Sequence, residues 1–133
     1  MSAGVGKLYP KRQIPMPEAT IYNVTRDSIL GDAVEIARTS KTRNKGLLGR
    51  NGIEAGGGLW IVPCEAIHMF FMKFAIDAVF LDRKKRVTKA VPALKPWRLA
   101  MSWRAHSVIE LPVGVIEQSG TSRGDQIEVQ KPN

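Results

Sequence analysis

Residues 74–81 constrain the fold more than any other part of this chain. They read FAIDAVFL, so that Asp77 is the only charged residue in an otherwise apolar run. A strand that is apolar on both faces lies in the middle of a sheet or barrel and is covered on both sides. Because burial of an unpaired carboxylate is costly, we expect Asp77 to be paired with an arginine or to serve a pocket.

Length and composition indicate a single small domain. The 133 residues suffice for one hydrophobic core, which we predict over residues 20–130, after a flexible arm at residues 1–19 that is rich in glycine and proline. Cys64 is the only cysteine, which excludes an intrachain disulfide. No apolar run approaches the ~18 residues of a membrane span, and none follows the basic N-terminal residues as in a secretory signal. We therefore expect a cytoplasmic monomer that needs no cofactor.

Local patterns predict an α+β fold, mostly β, in which roughly seven short strands curl into a small barrel-like sheet with two short helices. A β-hairpin is predicted from strands at 20–26 and 32–37. Thr39 and Ser40 suit the start of a helix at 41–48, and Gly49 suits its end. The remaining predictions are strands at 59–62, 76–81, 86–91, 105–111 and 126–130, a helical turn at 114–119, and a long loop at 92–104.

Positive charge is concentrated in two windows. The net charge is +8, and residues 41–50 and 83–104 hold 12 of the 20 basic residues and none of the acidic ones. These windows could attract an anionic ligand, an anionic surface or nucleic acid, with Trp97 and Trp103 as stacking surfaces, or they could be ordinary solvated surfaces. Because no nucleic-acid motif is present, we expect at most weak, non-specific binding of nucleic acid.

Five motifs resemble one family. They are RNKGLLGR at 43–50, PCEAIHMFFMKFAIDAVFLD at 63–82, LKPWR at 94–98, VIELPVG at 108–114 and RGDQIEV at 123–129. Their order and spacing are similar to those of the domain of unknown function 192 family. The resemblance implies a compact, mostly β fold and no established activity. This chain has Met69 where the family more often has threonine, which removes a hydroxyl from any pocket there.

The motifs suggest a pocket between the helix at 43–50, the segment 68–72 and the loop at 92–104. Arg43 and Arg50 could hold an anionic group, and Phe71, Met72 and Trp97 could form apolar walls. The candidate ligand-binding residues are Arg43, Arg50, His68, Phe71, Met72, Asp77, Trp97 and Glu110. The same two arginines and two carboxylates could instead form a buried structural network, because arginine pairs bidentately with a carboxylate.

A hydrolase-like enzyme is the alternative. Cys64 and His68 lie four residues apart and could act as nucleophile and base, or Asp77 and Glu110 could act as a carboxylate pair. The same cysteine and histidine could equally be packing residues of the core. We expect no metal site, because the cysteine and the two histidines lack the spacing of metal ligands.

Overall fold

The computed structural model describes residues 15–132, so that most of the predicted N-terminal arm lies outside the described residues. The first strand begins at Glu18, two residues before the predicted start of the domain. In chain order the elements are β1 (Glu18–Asn23), β2 (Ser28–Ala37), α1 (Ser40–Lys45), β3 (Gly57–Ile61), β4 (Ala66–His68), β5 (Ile76–Leu81), β6 (Val87–Leu94), β7 (Leu99–Met101), β8 (Ser107–Leu111), α2 (Val115–Ser119) and β9 (Ile127–Gln130).

Seven strands form one curled sheet in the order β6-β5-β8-β3-β2-β1-β9, and β4 and β7 form a separate two-stranded ribbon. The β2–β3 pair is parallel and connected through α1, whereas the other pairs are antiparallel. The two edges of the large sheet meet at a bridge between Arg86 and Gln126. The predicted mostly β, barrel-like fold with two short helices is therefore confirmed. The ribbon was not predicted.

β5 lies inside the sheet between β6 and β8, as its apolar sequence predicted. Its residues alternate between two separate cores. Val79 and Leu81 pack in one core with Ile116 of α2. Phe80 packs in a second core together with Leu47, which follows α1. Every residue of β5 is buried because each face of the strand meets its own apolar layer.

Asp77 is buried as predicted, but the predicted pairing with an arginine is wrong. Its Oδ1 accepts a hydrogen bond from the N–H of Ala93 at 2.8 Å. Its Oδ2 accepts from the N–H groups of Gly114 at 3.1 Å and Ile116 at 2.9 Å, at the start of α2. Three backbone donors thus satisfy the carboxylate, which is favourably placed at a helix N-terminus. Asp77 is a structural lock between β5, β6 and α2.

α1 is shorter than predicted. Thr39 is its N-cap, and the side chains of Thr39 and Thr42 form a reciprocal capping box, as expected of threonine in this position. The helix ends at Lys45 rather than at residue 48, because Gly46 has a φ of +52° and leaves the helical conformation. The prediction that Gly49 ends the helix is therefore wrong. The early end turns Leu47 into the second core.

Candidate functional site

A cleft of about 370 Å³ lies between the α1 region and the β4 segment. Its walls come from residues 43–48, from residues 63–69 and from Ile61 and Met72, and Glu110 of β8 also lines it. Apolar side chains form a little over half of the lining, and six of the sixteen lining residues are charged or polar. This combination is typical of small-molecule sites, which usually measure about 300–1,000 Å³.

The backbone fixes the wall opposite α1. The N–H of Cys64 donates to the carbonyl of His106 at 2.7 Å, which ties the start of this wall to the segment before β8. The N–H of Met69 donates to the carbonyl of Arg98 at 2.8 Å, at the other end of β4. Between these anchors, β4 pairs with β7. The wall is thus held at both ends and along its length.

Glu110 is a buried acid without a protein partner. It lies in β8 on the opposite face from Ile109 and Leu111, and so it faces the second core and the cleft. Within residues 15–132, no hydrogen bond or ion pair reaches its carboxyl group. Burial raises the pKa of Glu110 from 4.5 to about 7, and the positive charge of Arg50 acts in the opposite direction. Near neutral pH the group is therefore close to half protonated.

Arg50 does not line the cleft. Its Nη1 lies 2.9 Å from Oε1 of Glu35 on β2, in a partly exposed ion pair. With Asp77 bound to backbone N–H groups, the predicted network of two arginines and two carboxylates is not formed. The ion pair between Arg50 and Glu35 was not predicted, because the two residues are far apart in the sequence.

Arg43 lines the cleft and has no carboxylate partner in the described part of the chain. Its Nε donates to the carbonyl of Arg38 at 3.4 Å, and its Nη2 donates to Oγ of Ser40 at 3.5 Å. Both distances are long for hydrogen bonds of this type. The guanidinium group therefore keeps donors that a ligand could use.

Cys64 and His68 both line the cleft, but their hydrogen bonds go elsewhere. The Cys64 thiol donates to the carbonyl of Ala66 at 3.2 Å, and Nδ1 of His68 accepts from the N–H of Phe70 at 3.3 Å. Burial raises the pKa of the Cys64 thiol, and the hydrogen bond to Ala66 acts in the opposite direction. Because the thiolate is the nucleophilic form, this environment disfavours nucleophilic chemistry at neutral pH.

Of the other predicted site residues, only some line the cleft. Met72 lines the cleft. Phe71 and Trp97 lie outside it, both exposed, with ring centroids 4.8 Å apart. Asp77 pairs in register with Leu111, one residue beyond Glu110, and therefore points to the opposite face of the sheet. The two carboxylates cannot act as one catalytic pair.

Residues that the prediction missed complete the cleft. They lie immediately after α1 and along β4, and include Gly46, Leu48, Glu65 and Ile67. The loop at 92–104, which was predicted as a third wall, instead contains β7 and the end of β6, and β7 pairs alongside β4. In the folded chain both β4 and β7 alternate exposed, buried and exposed residues, but over three positions only. Such short strands are hard to recognise from one sequence.

No group of three or more histidine, cysteine or acidic residues within 15–132 could hold a metal ion. In the same range, no helix has the length and apolar character needed to cross a membrane.

The family model of domain of unknown function 192, described as "Uncharacterized ACR", matches residues 22–129. The chain belongs to this family. The resemblance inferred from the five motifs is thereby confirmed.

Two relatives of this chain are UPF0127 proteins. A UPF0127 protein of Thermococcus sibiricus is 34% identical over 114 residues, which cover 81% of this chain and 73% of the relative. A UPF0127 protein of Pyrococcus abyssi is 39% identical over 101 residues, which cover 71% of this chain and 84% of the relative.

Solved structures show the same fold in more distant proteins. A proposed transcription regulator from Sinorhizobium meliloti has a TM-score of 0.76 at 19% identity, over 89% of this chain and 98% of that one. A protein of unknown function from Novosphingobium aromaticivorans has a TM-score of 0.70 at 20% identity, over 90% and 96% of the two chains. At these identities the likeness concerns the fold alone.

Proposed function

We propose that the cleft beside α1 binds a small ligand that carries an anionic group. The observation that supports this is the buried Glu110 carboxyl group, which lines the cleft and has no partner among the described residues. Burial of an unpaired acid reduces stability, so a fold has little reason to keep one for packing alone. Perturbed, unpaired groups beside a cavity are characteristic of functional sites.

The charges of the lining support an anionic ligand. The guanidinium of Arg43 has free donors and can hold a carboxylate or phosphate in a bidentate manner. Lys45 lines the same side of the cleft, whereas Glu65 adds one negative charge on the facing wall. The apolar side chains of Leu47, Ile67 and Met69 suit the carbon skeleton of the ligand. In this proposal Arg43 performs the role that the sequence suggested for Arg43 and Arg50 together.

Glu110 makes the binding depend on pH. A neutral carboxyl group can donate a hydrogen bond to an anion, whereas a carboxylate repels it. An anionic ligand should therefore bind more tightly below about pH 7, where Glu110 is protonated. A ligand that also presents an ammonium group to Glu110 should show the opposite trend.

A thermal-shift screen tests the proposal. Small carboxylates and phosphate esters are added to the full chain at about pH 6 and about pH 8, because a ligand that binds only the folded state raises the melting temperature. We expect Arg43→Gln to abolish the shift and Glu110→Gln to abolish its pH dependence. The matched control is Lys41→Gln, which removes an exposed charge from the same helix. Stabilisation that persists unchanged in both cleft variants would contradict the proposal.

The alternatives have less support. A hydrolase reaction at Cys64 would need a thiolate that this environment disfavours, and Asp77 and Glu110 lie on opposite faces of the sheet. Nucleic-acid binding through the windows 41–50 and 83–104 would leave the buried Glu110 unexplained. The cytoplasmic location and the monomeric state stay predictions from the sequence.

A further inference from the structure

The outer face of the β4–β7 ribbon carries an uncovered apolar surface. Ala66 is paired with Met101, and His68 with Leu99. These four side chains share one face, because the residues between them, Ile67 and Ala100, point into the second core. Leu99 is 68% exposed and Met101 is 57% exposed. A depression of about 380 Å³ lies on this face.

An aromatic cluster extends this face at one end. The ring of Phe70 stacks on His68 at 4.8 Å, and Trp97 lies 5.9 Å from Phe70 and 4.8 Å from Phe71. Phe71 is 73% exposed and Trp97 is 58% exposed. We call the ribbon face and this cluster together the ribbon patch. Its residues are Ala66, His68, Phe70, Phe71, Trp97, Leu99 and Met101. Contiguous exposed apolar surface of this kind is characteristic of interaction sites.

The backbone holds the aromatic side chains outward at a cost. Phe71 has a φ of +64° and Trp97 a φ of +71°, in the left-handed region that bulky residues rarely adopt. The Trp97 N–H donates to the carbonyl of Met69 at 2.8 Å, which fixes one of the two strained turns against the other strand of the ribbon. Backbone strain of this kind concentrates at functional sites. Packing of the core does not require it, since both side chains point into solvent.

Positive charge surrounds the ribbon patch. Residues 66–76 and 83–104 contain nine basic residues and no acidic one. Lys89 lines the depression on the ribbon face, and Lys95 and Arg98 are exposed beside Trp97 and Leu99. Glu65, just before β4, is the nearest acidic residue in the sequence. An apolar centre with a cationic border is complementary to a surface that is negatively charged outside and apolar beneath.

We propose that the ribbon patch docks on the surface of an anionic lipid bilayer. Leu99, Met101 and the aromatic rings enter the boundary between headgroups and acyl chains, where tryptophan is especially favourable. Lys95 and Arg98 then contact lipid phosphates, and Lys89, whose Nζ donates to the carbonyl of Met101 at 3.0 Å, adds positive charge beside them. This is peripheral binding, and the ribbon patch meets the candidate ligand cleft at Ala66 and His68, which border both.

The observations favour a bilayer over two other occupants. Leu99 and Met101 at the centre of the patch cannot stack on bases, and the exposed rings of Phe71 and Trp97 lie at its edge, packed on each other at 4.8 Å, so the centre of the patch suits acyl chains better than nucleic acid. A second copy of the chain in a two-fold arrangement would bring the same positive border against itself.

Vesicle binding of the full chain tests the proposal. Phosphatidylcholine vesicles with and without phosphatidylglycerol are mixed with the protein, and co-flotation and tryptophan emission are measured. Trp60 is buried in the first core, so a change in emission reports on Trp97 and Trp103. We expect binding and a blue shift with the anionic vesicles alone, both weakened by added salt.

Variants with a matched control sharpen the test. Leu99→Glu should reduce the partition coefficient at least about tenfold, because it removes apolar contact and adds repulsion. Arg98→Gln should reduce it about fivefold, the effect of one cation near an anionic surface. The control is Ile29→Glu, which makes the same kind of change at a site that is 60% exposed on β2. All three variants should keep the wild-type melting temperature, because the altered side chains are exposed.

Several results would overturn the proposal. Absence of binding to anionic vesicles would do so, as would an equal loss of binding in Ile29→Glu. Binding of a single-stranded oligonucleotide that is lost in Leu99→Glu, without vesicle binding, would assign the patch to nucleic acid. A concentration-dependent dimer that dissociates in Leu99→Glu would assign it to a second copy of the chain.

Discussion

Replacement of Glu110 by glutamine should change how the stability of this protein depends on pH. Burial raises the pKa of Glu110 from 4.5 to about 7 in the folded chain, whereas the unfolded chain keeps the ordinary value. Between these two values the folded state holds a proton that the unfolded state has lost. The free energy of unfolding therefore falls as the pH rises through this window. At about 1.4 kcal/mol for each pH unit, the total loss is about 3 kcal/mol.

Glutamine has nearly the same shape as a protonated glutamate and does not titrate. We expect Glu110→Gln to match the wild type near pH 4.5 and to be more stable by about 3 kcal/mol above pH 7. The assay is urea unfolding across this pH range, analysed as the difference between variant and wild type, so that all other titrating groups cancel. Glu117→Gln is the control, because Glu117 is exposed on α2. A difference that stays constant with pH would refute the reasoning, since Glu110 would then titrate alike in both states.

Three further predictions concern other parts of the fold. Asp77→Ala should lower the free energy of unfolding by about 3–5 kcal/mol, because it leaves three N–H groups, of which that of Ile116 is buried, without their acceptor; near-wild-type urea unfolding would contradict this. Cys64 should react slowly with iodoacetamide in the native state and fast in urea; equal rates would show a reactive thiol. Gly58→Ala should cost about 1–3 kcal/mol, because its Cβ would lie 2.6 Å from the carbonyl oxygen of Glu110. A melting temperature equal to that of the wild type would contradict the last prediction.

The pattern of apolar residues predicted the strands and helices whose formation depends on local sequence. β5 was predicted with the observed bounds, because it is apolar on both faces and Asp82 directly follows its last residue. The start of α1 was predicted from Thr39, since capping depends on residues within one turn. β4 and β7 were missed because each has three residues and depends on a partner about thirty residues away. Their pairing is a tertiary event that local propensity does not encode.

The partners of the charged residues at the candidate site could not be predicted from local sequence either. The sequence shows which side chains are charged, but it does not show backbone donors. An arginine was therefore predicted as the partner of Asp77, although β6 and the start of α2 supply three N–H groups instead. In the structure, Arg50 forms an ion pair with Glu35 of β2. Which residues meet at the cleft was predictable only in part, through Arg43, His68, Met72 and Glu110.

Asp77 and Glu110 are both buried acids, but only Asp77 finds hydrogen-bond partners among the described residues. The two residues lie on neighbouring strands, displaced by one position in the pairing register, and both are buried. Asp77 faces three backbone donors, so its burial is fully compensated and its role is complete within the fold. Glu110 faces a cleft and has no hydrogen-bond partner in residues 15–132, and its pKa is raised. Under the proposed function, the stability that this arrangement costs at neutral pH would be regained on binding, so we expect the substitution that stabilises the protein, Glu110→Gln, also to remove the pH dependence of ligand binding.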